Sequence, residues 1–161
     1  DTGVYFFGPK NISIGNWTWI DSGVRIEAFL GEIQIGNRVH VASAVIIGAR
    51  EPVIIGDFAA IGAGARIYSN SVTPSQFGHM SGPMVPEKFK SYVSKPISIG
   101  TDAVVGTNAV LLPGAILGNG SVLGSLSLLK EPIPQWEIWG GIPAKKLGNR
   151  PKLNPNYIFG A

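Results

Sequence analysis

An all-β fold, a left-handed parallel β-helix of about five coils with one long protruding loop, is the architecture this sequence predicts, and three observations predict it. Aliphatic residues recur every six positions: Ile14, Ile20 and Ile26; Ile35, Val41 and Ile47; Ile55, Ile61 and Ile67; then Ile99, Val105, Leu111, Leu117, Leu123 and Leu129. Nine of these fifteen are followed directly by glycine, at residues 15, 36, 48, 56, 62, 100, 106, 118 and 124. No segment carries the 3.6-residue period of an amphipathic helix. A period of six matches one short strand and one turn per repeat, three repeats closing one triangular coil of about 18 residues.

The elements follow in order along a single domain, residues 1–161. Residues 12–67 supply coils one to three. The steps from Ile26 to Ile35 and from Ile47 to Ile55 are nine and eight residues, so small insertions separate these coils. The step from Ile67 to Ile99 is 32 residues, and residues 68–96 are expected to leave the prism as the extended loop. All three insertions fall at one corner, after the third strand of a coil. Residues 97–130 form coils four and five without interruption, and residues 131–161 are expected to form a C-terminal tail.

Within a repeat, the aliphatic position and the residue two before it both point inward, so the latter is expected to be small. Ala59, Ala103, Ala109, Ala115, Ser121 and Ser127 obey. The glycine after the aliphatic position is expected to supply the positive φ of a tight corner. Prisms with this repeat are expected to wind left-handed, against the usual crossover rule.

Composition narrows the function classes. Charged residues are 14% of the chain and hydrophobic ones 45%, which suits a packed β-rich domain. The absence of cysteine excludes disulfides, a thiol nucleophile and thiolate-bound metal. A net charge of +3 suits an anionic cofactor or nucleotide better than a long nucleic acid, and no nucleic-acid partner is expected. Ala103 to Leu129 is uncharged, but Pro113, Asn108, Asn119 and five glycines interrupt it, so stacked strands are expected there and no membrane insertion. The expected location is the cytoplasm.

Residues one before each aliphatic position point outward and form columns. The first face reads Ser13, Gln34, Ile54, Ser98, Ile116; the second Trp19, His40, Ala60, Val104, Val122; the third Arg25, Ile46, Arg66, Val110, Leu128. Apart from Ser98, the outward residues of the last two coils are apolar. A monomer would expose them as a patch, so a cyclic homotrimer is expected.

Three segments carry a family resemblance: Ile99-Gly100 through Leu129, the loop between Tyr68 and Pro96, and Gly140-Gly141-Ile142-Pro143-Ala144-Lys145. Over roughly residues 11 to 150 the chain resembles the hexapeptide-repeat acyltransferases. Among them it is similar to the sugar O- and N-acetyltransferases, which include galactoside and maltose acetyltransferases and enzymes of surface-polysaccharide synthesis. The resemblance implies an active site between neighbouring subunits and acetyl-coenzyme A as acyl donor. It further implies a sugar or nucleotide-sugar acceptor and a histidine general base. A hydroxyl or amine becomes an effective nucleophile when a positioned base takes its proton during attack, and backbone N–H groups can hold the developing oxyanion.

Only two histidines exist. His40 lies in an outward column between Trp19 and Ala60, and His79 lies in the long loop, in Phe77-Gly78-His79-Met80-Ser81-Gly82-Pro83. Maltose-type enzymes carry the base just after the Tyr-Ser/Thr that opens this loop. Here Tyr68-Ser69-Asn70-Ser71-Val72-Thr73-Pro74 holds no histidine, so the base falls to His40 or His79. Asp21 and Glu27 are candidates to orient an imidazole. Trp19, Tyr68 and Asn70 are candidate acceptor contacts, with Trp17 beside them.

For the donor, the resemblance assigns Lys145 and its basic neighbours Lys130, Lys146, Arg150 and Lys152 to coenzyme A phosphates. Gly106, Ala109, Gly124 and Ser125 are expected along the pantetheine arm. Relatives place a Thr-Lys pair after the last coil where this chain has Lys130-Glu131. No metal is expected: a γ-type carbonic anhydrase shares the prism but needs three histidines on zinc. A non-catalytic hexapeptide scaffold is the alternative class.

Overall fold

A computed structural model describes residues 1–74, 78, 79, 82 and 84–153. Residues 154–161 of the expected tail therefore lie outside the described residues, as do Phe77, Met80, Ser81 and Pro83 of the loop motif. The chain opens with β1 (Tyr5–Phe7). Coil one follows with β2 (Ile12–Ile14), β3 (Trp19–Ile20) and β4 (Arg25–Ala28). Coil two holds β5 (Ile33–Ile35), β6 (His40–Val41) and β7 (Ile46–Ala49). Coil three holds β8 (Val53–Ile55), β9 (Ala60–Ile61) and β10 (Arg66–Tyr68). The loop is built on β11 (Asn70–Val72) and β12 (Tyr92–Ser94). The prism resumes with β13 (Ile97–Ile99), β14 (Val104–Val105), β15 (Val110–Leu111), β16 (Ile116–Leu117), β17 (Val122–Leu123) and β18 (Leu128–Leu129). A hairpin of β19 (Glu137–Gly141) and β20 (Ala144–Asn149) ends the described chain.

Three sheets form the sides of a parallel β-solenoid. The first runs β2-β5-β8-β13-β16, the second β3-β6-β9-β14-β17-β19-β20, and the third β1-β4-β7-β10-β15-β18. The register reproduces each outward column residue for residue. On the second face, for instance, Trp19 pairs with His40, His40 with Ala60, Ala60 with Val104 and Val104 with Val122. Each sheet is parallel except at the antiparallel β19–β20 hairpin.

The solenoid makes about six turns rather than five. Phe6 stacks on Ile26 and begins the third face one level early. At the other end Ile133 bridges to Leu117, and Ile138 and Trp139 pair with Val122 and Leu123. The expected tail thus continues the prism, and Ile142-Pro143 lies at the turn of its last hairpin. A four-residue step from Leu129 to Ile133 masked this continuation in the six-residue count.

Two local expectations need correction. Small residues do sit at the inner i−2 positions Ala59, Ala65, Ala103, Ala109, Ala115, Ser121 and Ser127, but Ile33, Val39, Val45, Val53 and Ile97 occupy others and are equally buried. The cross-section is shared by six inward side chains. Coil five presents Leu117, Leu123 and Leu129 with Ala115, Ser121 and Ser127, whereas coil two divides the space among six β-branched residues. Leucine reaches farther from the backbone than a β-branched side chain, so a coil built on three leucines leaves room only for small residues beside them.

The glycines after the aliphatic positions do not supply positive φ. That conformation falls two residues later, at Trp17, Arg38, Ala44, Phe58, Asp102, Asn108 and Leu126 as well as Gly23, Gly64, Gly114 and Gly120. The glycines are needed for close approach. A Cβ on Gly62 would stand 2.6 Å from the Thr107 nitrogen, and one on Gly56 2.7 Å from the Thr101 nitrogen. At the first corner asparagine and aspartate side chains tie coils together. Asn16 N–H donates to Asn37 Oδ1 at 2.9 Å, Asn37 N–H to Asp57 Oδ1 at 2.7 Å, and Thr101 N–H to Asn119 Oδ1 at 3.0 Å.

Substituting Gly62→Ala should therefore destabilise the fold by about 2 kcal/mol or more through a backbone clash. Gly148→Ala, where nothing stands within 4 Å of the added Cβ, should be close to neutral. Urea unfolding of the two variants against the parent checks both.

Candidate active site

Strand β6 presents His40 outward, with Trp19 one coil away on one side and Ala60 on the other. Asp21 follows Ile20 at the adjacent corner, where its N–H donates to the Val41 carbonyl at 2.9 Å. That bond fixes Asp21 beside the imidazole, and its Oδ2 lies 3.2 Å from His40 Nε2. The histidine side chain is 54% exposed and the aspartate 27%, so the pair lies at the surface with its carboxylate half sheltered. With Nε2–H donating to the carboxylate, the lone pair resides on Nδ1, free to accept a proton. Small Ala60 leaves space beside the ring. The other candidate orienter lies elsewhere: Glu27 is buried on the third face and accepts from Arg25 Nε at 3.0 Å.

Trp19 shares the column of His40, and an open groove of about 430 Å³ runs beside it, lined by Asp1, Trp17, Thr18, Trp19 and Ile20. Tyr68 and Asn70 belong to a second group, on the third face and at the start of the loop. The Tyr68 ring lies against Gly48, where a Cβ would come within 2.9 Å of it. His79 is in this second group, its N–H donating to the Phe89 carbonyl at 2.7 Å and its carbonyl accepting from Ser91 N–H at 3.1 Å. Within one chain His40 therefore lies on the second face of the prism and His79 in the loop.

The donor candidates separate in the same way. Gly124 and Ser125 lie at a corner of the last full coil, near the hairpin that carries Lys145. Gly124 N–H donates to the Trp139 carbonyl at 2.7 Å. Lys130 is exposed, and Lys145 has Glu131 at 3.8 Å as its ion partner. Lys146 is bound closely by Glu137 at 2.6 Å, and that carboxyl is held below its ordinary range by Lys146 and the Trp139 indole N–H. Arg150 is engaged with the Asp102 carboxylate at 2.9 Å and the Asp102 carbonyl at 2.7 Å. Ala109 faces the core, its N–H and carbonyl both bonded to backbone, and Gly106 packs against the Ser125 backbone. Among the described residues no three His, Cys, Asp or Glu side chains converge as a metal site. No helix among them is long and apolar enough to cross a membrane.

One polar cluster had no signal in the sequence. Glu87 accepts from Arg50 at 2.9 Å, Tyr92 at 2.8 Å and Lys90 at 2.9 Å, while the Arg50 guanidinium stacks 4.3 Å from the Tyr92 ring. Its members come from a prism corner, a short helical turn and β12, so only folding gathers them.

Known proteins supply the remaining observation. No family profile matches the chain. Over 147 residues it is 35% identical to the dTDP-4-amino-4,6-dideoxy-D-glucose acyltransferase of Escherichia coli, covering 91% of this chain and 76% of that protein. The chain belongs to the hexapeptide-repeat acyltransferases. AntD, an N-acyltransferase from Bacillus cereus in complex with dTDP and 3-hydroxybutyryl-CoA, superposes with a TM-score of 0.87 at 26% identity, covering 94% of this chain and 79% of AntD. A hexapeptide-repeat acetyltransferase from Vibrio cholerae shares the fold at a TM-score of 0.60 and 22% identity, covering 94% and 70%. As a member of this family the chain is an enzyme, an acyltransferase.

The three donors on Glu87, Lys90 first, hold its carboxyl at a pKa of about 2, below the ordinary carboxylate range. A depressed carboxylate contributes stability that is present above pH 4.5 and lost as pH falls toward 2. An NMR titration of the Glu87 side chain should find a midpoint near 2, with loop resonances broadening as pH falls from 4.5 toward it.

Proposed function

We propose that this acyltransferase moves an acetyl group from acetyl-coenzyme A to the amine of a nucleotide-linked amino sugar, as a homotrimer. The His40–Asp21 pair carries the reading: an outward imidazole, 3.2 Å from a carboxylate, beside a small residue and an exposed indole. The acceptor class rests on the relatives, one named for a dTDP-linked amino sugar and one an N-acyltransferase bound to dTDP. The donor class rests on the latter's bound acyl-coenzyme A.

The amine nitrogen attacks the thioester carbonyl carbon, and a C–N bond forms as the carbon–oxygen double bond opens. His40 Nδ1 takes the proton that the nitrogen sheds, and Asp21 stabilises the resulting imidazolium. Collapse of the tetrahedral species breaks the C–S bond and releases coenzyme A, whose sulfur recovers the proton. No covalent enzyme intermediate is involved.

The trimer brings the remaining groups to this pair. Outward Val104, Val122, Val110, Leu128 and Ile138 form an apolar surface over the last coils, which neighbouring prisms would cover. Trp19 and Trp17 serve the acceptor, and the loop, with Tyr68, Asn70 and His79, extends from a neighbouring subunit as the other wall of the acceptor site. Gly124 and Ser125 border the pantetheine arm. Lys130 and Lys145 meet the phosphates: Lys130 is exposed and Lys145 has only the distant Glu131 at 3.8 Å, whereas Lys146 and Arg150 are held by Glu137 and Asp102. His79 is the second candidate base, because backbone bonds to Phe89 and Ser91 fix its place in the loop.

His40→Ala should lower kcat by about 100-fold or more with the trimer intact by analytical ultracentrifugation. Unchanged turnover in that variant, with His79→Ala inactive, would move the base to the loop. Lys145→Ala should raise KM for the thioester several-fold with little change in kcat; an unaltered KM would remove it from the donor site. Turnover with acetyl-CoA set against 3-hydroxybutyryl-CoA, on a dTDP-amino sugar, tests the acyl group directly.

A further inference from the structure

The loop leaves the prism after Tyr68 and returns at Ile97, yet the stack closes beneath it. Arg66 pairs with Val110 and Ile97 with Val53 as though nothing intervened. Among the described residues the loop's own structure is slight: a three-residue antiparallel pair, β11 with β12, the short turn Glu87–Phe89, and a bridge between His79 and Lys90. A two-stranded hairpin of this size is at best marginally stable by itself in water. Something on the prism must hold it.

We propose that Arg50 is a positioning residue that clamps the loop to the prism and thereby sets the affinity for the acyl acceptor. This rests on the reading above that the loop forms a wall of the acceptor site. Arg50 follows β7 at the corner from which the loop later departs. Its main chain is fixed from below: Arg50 N–H and Glu51 N–H both donate to the buried Ser69 Oγ at 2.9 Å. Its side chain reaches the returning arm. Nη2 donates to Glu87 Oε2 at 2.9 Å and to the Tyr92 hydroxyl, and the guanidinium plane covers the Tyr92 ring.

Glu87 is the hub, with Lys90 Nζ on Oε1 and the Tyr92 hydroxyl on Oε2. The Glu87 turn (Glu87–Phe89) then passes the constraint on, because Phe89 and Ser91 supply both backbone bonds to His79. One arginine thus links the prism corner to the segment that carries the loop histidine. A lysine ammonium would keep the charge and the donors but lose the contact of the guanidinium carbon over the Tyr92 ring. Charge alone would not reproduce the clamp.

The donor candidates lie in later turns, at Gly124, Ser125, Lys130 and Lys145. The clamp should therefore act on one substrate only. Arg50→Met, which keeps an apolar stem over Tyr92, should raise the acceptor KM by about 10-fold or more, as misplacement of a binding wall does. The thioester KM and the melting midpoint should stay near the parent's, and chymotrypsin should cut the loop faster. Glu87→Gln should give the same pattern more mildly, and the exchanged pair Arg50→Glu with Glu87→Arg should recover part of the acceptor affinity.

A variant with residues 75–90 replaced by a short glycine-serine linker separates the two readings. If that deletion raises the acceptor KM while Arg50→Met changes neither KM, the clamp is refuted and the loop's role in the acceptor site stands. If the deletion leaves the acceptor KM unaltered, the loop's role falls and the clamp's effect on acceptor affinity falls with it. A loss in Arg50→Met that tracks a lowered melting midpoint and affects both substrates alike would reduce Arg50 to a structural part.

Discussion

Everything in this protein depends on one constraint: successive coils must lie one strand spacing apart, in register, on three faces at once. A parallel ladder satisfies the backbone only if the strands of successive coils keep the same spacing and stay in register, with any extra chain leaving at a corner. That is why six-residue spacing dominates the chain, and why departures from it are confined to one corner. It is also why the corners are so crowded. At Gly15, Gly36, Gly56, Gly62, Gly100, Gly106 and Gly118 the next coil's backbone comes within about 3 Å of where a Cβ would be, and glycine is the only residue that fits there without a shift. The Asn37–Asp57 and Thr101–Asn119 bonds reinforce the same stack from outside the core.

The constraint has a chemical consequence. Because register is rigid, an outward residue is held at a defined height and direction along a face, which suits it to position a base. His40 and Asp21 illustrate this: the coil spacing puts the corner of coil one beside the second strand of coil two, so residues 19 apart in sequence meet at 3.2 Å. The candidate donor and acceptor groups lie at different heights or on different faces, and a single prism does not gather them. On the proposed reading, neighbouring prisms complete the site, and the loop has to be anchored firmly enough to present a surface to another subunit. The Arg50–Glu87–Tyr92 cluster does that anchoring from the one corner where the ladder allows chain to leave.

Legibility in the sequence followed the same division. The three faces, their outward columns and the exit point of the loop were all readable from spacing, since a period maps directly onto a prism. Asp21 was readable as a candidate for the same reason. What spacing concealed was whatever broke the period. Phe6 lies before the repeat begins, and Ile133 and Trp139 follow a shortened step, so about one turn of solenoid was hidden. The corner glycines were legible as a pattern but not in their cause, because close approach and positive φ both select glycine. Only coordinates place the positive φ two residues further on, at bulky residues such as Trp17, Arg38 and Phe58.

The sequence by itself determined a parallel prism, its faces, and a short list of groups able to do acyl-transfer chemistry, because local periodicity dictates which side chains point in or out. Tertiary structure alone decided which of those groups are already occupied. Lys146 and Arg150 look like free cations in the sequence, yet Glu137 and Asp102 hold them, and Glu27 is taken by Arg25 while Asp21 is left for His40. Charge pairing and backbone satisfaction depend on distances between residues remote in sequence. No spacing rule supplies those until the chain has wound back on itself.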